Sequence, residues 1–65
     1  MKEFIVVGIG FKFLTRVLAP NAQSALRKAT GVSGVPVVGT TQDYRTPGNK
    51  VYMVKVARHP TLPVW

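Results

Sequence analysis

Ile5, Val7, Ile9, Phe11, Phe13 and Val17 share one parity of the chain, broken only by Thr15. The other parity carries Phe4, Val6, Gly8, Gly10, Lys12, Leu14, Arg16 and Leu18. A period of two sustained this long predicts β structure, with the odd positions facing a core. Two geometries fit: one long strand bent at Gly8 and Gly10, or a hairpin turning around Gly8-Ile9-Gly10. A hairpin normally resets the alternation. Here it continues unbroken, which favours the single bent strand.

Pro20-Asn21 ends that strand and opens a helix, because the Asn21 side chain can accept from a free backbone N–H of the first turn. Ala22, Ala25, Leu26 and Ala29 recur at helical spacing and form a narrow apolar stripe. Arg27 and Lys28 suit the negative end of the helix dipole, and Gly31 suits the position just past the last turn. The predicted helix is 22–30, short enough to need tertiary packing.

Val35 to Thr41 is apolar and β-branched, but Pro36 cannot donate to a ladder, so this is an edge strand or only its start. Gln42 to Asn49 is polar and reads as a loop with Tyr44, Arg45 and a Pro47-Gly48 type II turn. Lys50 to Arg58 alternates again, with Tyr52, Val54 and Val56 on one side. His59 to Trp65 has two prolines and reads as an extended tail. The predicted fold is α+β in the order β-α-β-β: one short helix on a three-stranded, mainly antiparallel sheet. Residues 1–58 make one small domain and 59–65 the tail.

Charge then changes the picture. Nine Lys and Arg oppose two acids in 65 residues, a net charge of +7. A domain so one-signed repels itself, and attraction to a polyanion is the commonest use of such a surface. With odd positions inward, Lys12, Arg16 and Lys55 fall on the open sheet face, beside Phe4, Val6, Leu14 and Met53. Arg45 and Lys50 extend that surface from the loop, and Arg27 and Lys28 add to it from the helix. Bases beside flat apolar side chains can hold single-stranded nucleic acid. The opposing consideration is that charge on the solvent side of a sheet also serves solubility.

Two other readings use the same residues. A protein-binding modulator, such as a phage-type inhibitor of a host polymerase or nuclease, would dock on an acidic surface through this basic-apolar patch, with Tyr44, Arg45 and Trp65 as anchors. A self-associating subunit would bury Phe4, Val6 and Leu14 against a second copy, since such a patch is costly to leave in water. In size and element order alone the chain is similar to several small α+β modules, phage-encoded inhibitors among them. No motif carries that similarity, and it implies no residue roles.

Chemistry is sparse. Phe4 to Gly10 resembles the start of a dinucleotide fingerprint, but Phe13 stands where a third glycine is needed and no acid follows near position 30. One histidine, two acids and no cysteine leave too few ligands for a metal site or disulfide. His59 with Asp43 and a serine makes a triad only on paper, so no enzyme and no cofactor is expected. The Pro60 to Pro63 segment has the spacing of a short polyproline ligand, a pattern common by chance. The apolar start is short, contains glycines and lacks a clean cleavage site, so it does not read as a signal peptide. No stretch is long enough to span a bilayer. The expectation is an intracellular, cytoplasmic protein (in the host cell if viral), with Met1 opening a complete small reading frame.

Overall fold

The computed structural model describes residues 1–57. Its strands are β1 (Lys2–Ile9), β2 (Leu14–Ala19), β3 (Val35–Pro36), β4 (Asp43–Thr46) and β5 (Lys50–Val56), with one helix, α1 (Ala22–Thr30), after β2. All pairings are antiparallel, and the sheet runs β2-β1-β5-β4-β3. The class is α+β as expected, but there are five strands, and the order is β-β-α-β-β-β.

The first difference lies in residues 2–19. They form a hairpin, not one bent strand. Gly10 turns with φ of 88°, and the Gly8 N–H donates to the Phe13 carbonyl at 3.0 Å. The register pairs Phe4 with Val17 and Val6 with Thr15. Even residues of β1 therefore share a face with odd residues of β2, so the parity does reset at the turn. Phe4 and Val6 are in the core at 5% and 0% exposure, whereas Ile5, Val7 and Ile9 lie on the open face. The reason is local. Phe4-Ile5-Val6-Val7 is apolar on both sides, so alternation alone does not say which side the helix covers. Phe4 and Val6 are thus core residues and not an exposed interface.

The second difference is β4. Asp43–Thr46 has the polarity of a loop, yet it pairs with β5 from Asp43↔Met53 to Thr46↔Lys50. Pro47-Gly48-Asn49 makes the hairpin connection, with Gly48 at φ 86° and Asn49 at 65°. A turn is thus present at the expected Pro47-Gly48, between two strands. Tyr44 is correspondingly no loop anchor: it is partly buried and packs against the core. The strand expected over 35–41 contracts to Val35–Pro36, at the sheet edge where proline is tolerated. Tyr52 and Val54 enter the core as expected, while Val56 is 51% exposed.

The helix matches its expected bounds. Asn21 is extended, and its Oδ1 accepts from the Ser24 N–H at 2.9 Å. Gly31 adopts φ of 83°, and its N–H donates to the Arg27 carbonyl at 2.8 Å. Ala25 and Leu26 are fully buried against Phe4, Val6, Ala19, Tyr52 and Val54. Small alanines bring the helix close to the sheet, so one leucine supplies most of its buried volume.

Gly34 completes that contact. A Cβ there would overlap Leu26 Cδ2 and come within 3.1 Å of Tyr44 Cβ. Gly34→Ala should therefore lower unfolding free energy by about 1–3 kcal/mol, as overpacking does elsewhere. Chemical denaturation reads the change; an unaltered midpoint would show that Leu26 moves aside freely.

Candidate nucleic-acid interface

Strand pairing sets where each charge sits. On the open face, residues directly across the strands form rows. Arg16 and Lys55 both stand opposite Ile5, so they share a row two strands apart, about 10 Å. Arg16 Nη1 lies 3.4 Å from Glu3 Oε2, the single ion pair among the described residues. Arg45 is on this face opposite Val51, and Asp43 is opposite Met53. The expected trio is therefore only partly assembled: Lys12 lies in the β1–β2 connection at the other end of the sheet. Leu14 and Met53 are on the open face as expected, with Leu14 72% exposed. Trp65 and Arg58 lie outside the described residues.

Both acids of the chain, Glu3 and Asp43, are on this open face. It carries three bases against those two acids and is close to neutral. The side bearing the helix has bases and no acid. Arg27 and Lys28 are exposed on α1, and Lys2 shares the inward parity of β1 but is itself exposed, opposite Ala19. Arg27 and Lys28 line a shallow depression with Met1, Pro20, Ser24 and Gly31. Lys28 Nζ also donates to the Leu18 carbonyl at 2.6 Å, tying the helix to β2. An ammonium has three donors, so two remain for a ligand.

At the end of the sheet beyond the helix, the same side carries an aromatic group. Phe11 and Phe13 each meet the Tyr52 ring edge-on at 5.2 Å. Phe11 lies against Gly8, where an added Cβ would be 2.6 Å from its ring. Lys50 Nζ sits 5.7 Å from the Phe11 centroid, and Lys12 follows Phe11 in sequence. Phe11 remains 37% exposed. Sequence reasoning placed Phe11 and Phe13 in the core of a strand and overlooked Lys2. The signal for the aromatic group was Phe-Lys-Phe immediately after Gly-Ile-Gly, aromatics where a turn normally carries small polar residues.

Among the described residues, no helix is long and apolar enough to cross a membrane. No family model, curated protein or solved structure matches the chain.

Proposed function

We propose that this is a non-enzymatic nucleic-acid-binding protein whose phosphate-contacting surface is the helix side of the molecule. Lys2, Arg27 and Lys28 meet the backbone, and Lys12 and Lys50 continue the positive surface to Phe11. The observation that carries this reading is the segregation of charge: both acids lie on the open face, so the bases of the helix side have no acid among them. Phe11 adds a ring on which an unpaired base can stack beside the Lys50 ammonium, which favours a single strand over a duplex.

Fluorescence anisotropy with labelled single- and double-stranded oligonucleotides tests the proposal. Salt-sensitive binding that prefers the single strand is the expected result. No binding at low salt overturns it.

Phe11→Leu keeps an apolar contact on Tyr52 and removes the stacking ring. Single-strand affinity should fall about 5- to 150-fold, the range for one stacked base. Affinity equal to wild type would confine Phe11 to packing.

A further inference from the structure

We propose that the open face of the sheet is the interface of a homodimer, in which a second copy of this chain packs sheet against sheet. The face is built like an interface. Ile5, Val7 and Met53 lie in its middle, and Ile9, Leu14 and Val51 carry the apolar surface to the end of the sheet beside the β1–β2 connection. Ile9 and Leu14 are 45% and 72% exposed, and Leu18 and Val35 add 59% and 67% at the margins. The charged groups border this apolar area on two sides, on β4 and in the rows of Ile5 and Glu3. An apolar middle with a charged rim is the usual anatomy of a protein contact.

Three observations select a second copy as the occupant. The first is the order of charges along the rim. From β4 to β2 the sequence is Arg45, Asp43, Lys55, Glu3, Arg16, with alternating sign at each step. A two-fold axis through such a rim can set acids of one copy against bases of the other, so the surface is complementary to itself. The second is net charge. Copies of a chain at +7 repel one another. The open face is the side on which bases are nearly balanced, so approach there meets the least repulsion.

The third is area. The strands run 8, 6, 2, 4 and 7 residues, so at about 3.4 Å rise and 4.8 Å spacing they give roughly 440 Å² of projected face per copy. Two copies remove about 880 Å² from water before side-chain relief is counted, the size of a weak interface whose assembly depends on concentration. Aligned packing of two sheets about 10 Å apart accommodates these side chains.

Sedimentation equilibrium on nuclease-treated protein, over roughly 1–100 µM to cover the affinities typical of an interface this small, tests the inference. The absence of nucleic acid keeps this measurement separate from the binding reading above. The expected result is a mass rising from 7.1 kDa to twice that value with concentration. Leu14→Glu should hold the protein monomeric throughout, with circular dichroism unchanged, because Leu14 lies outside the core cluster. Ile9→Lys, at the end of β1 on the same face, is the second variant and should do the same. A wild-type monomer at every concentration overturns the proposal and leaves the face to the C-terminal residues or another protein. A dimer that survives both substitutions also overturns it, because the copies then meet elsewhere.

Discussion

Leu26→Ala is expected to abolish most of the folded population. Leu26 is fully buried, and with Val6 it is one of the two largest side chains wholly removed from solvent. Truncating a buried leucine to alanine costs about 2–5 kcal/mol, the transfer free energy plus the cavity left behind. A 65-residue domain at the usual 0.05–0.15 kcal/mol per residue has about 3–10 kcal/mol in total. The upper half of the loss therefore consumes a large part or all of the reserve. Relaxation gives little relief, because α1 is already held close through Ala22, Ala25 and Ala29 and has no other large apolar side chain to fill the gap. Far-ultraviolet circular dichroism against denaturant reads the effect. A midpoint within experimental error of wild type would mean that the helix does not anchor the sheet. Leu26→Ala also vacates the space that a methyl at Gly34 needs. The double variant should accordingly lose less than the two single losses added together, as contacting sites do.

Raising salt from about 50 to 200 mM should weaken oligonucleotide binding roughly 100- to 500-fold. Engaging about five phosphates gives a slope of log affinity against log salt of roughly −3.5 to −4.5, because each neutralised phosphate releases its condensed counterion. Five bases, Lys2, Lys12, Arg27, Lys28 and Lys50, make up the proposed surface. The slope also tells the two sides of the molecule apart. Lys2→Ala with Arg27→Ala should reduce its magnitude by about 1.4–1.8, two phosphates' worth. Arg16→Ala with Lys55→Ala should leave it unchanged, since those groups stand on the nearly neutral face and Arg16 already contacts Glu3. The reverse outcome would return phosphate binding to the open face that alternation first indicated.

The helix was legible in the sequence from cap to cap. Asn21, the alanine stripe, Leu26 and Gly31 each act within one or two turns, so local chemistry sufficed. The sheet was less legible because its facts are not local. Which side of Phe4-Ile5-Val6-Val7 is covered depends on where α1 lands. The four residues between β1 and β2 include two phenylalanines, which continue the apolar alternation through a turn because they pack on Tyr52. β4 is hidden for the opposite reason: Asp-Tyr-Arg-Thr has the polarity of a loop and becomes a strand only between β3 and β5. The charge map inherits both problems. Asp43 takes a place on the open face only once β4 is a strand, and the trio of Lys12, Arg16 and Lys55 shares a surface only if residues 4–18 are one strand.

The Lys28–Leu18 contact has a consequence for fibril formation. The Ala57 N–H bonds the Glu3 carbonyl on the β5 side of β1. Glu3 pairs with Leu18 in register, so the backbone groups of Leu18 point outward, away from the sheet. Lys28 therefore occupies a carbonyl that the N–H of an incoming strand would need. At the opposite edge, β3 is two residues long and includes Pro36. Short, proline-bearing or lysine-guarded edges resist strand addition. Amyloid-like stacking of native molecules is thus obstructed at both ends of the sheet, and neutralising Lys28 would open the longer of the two.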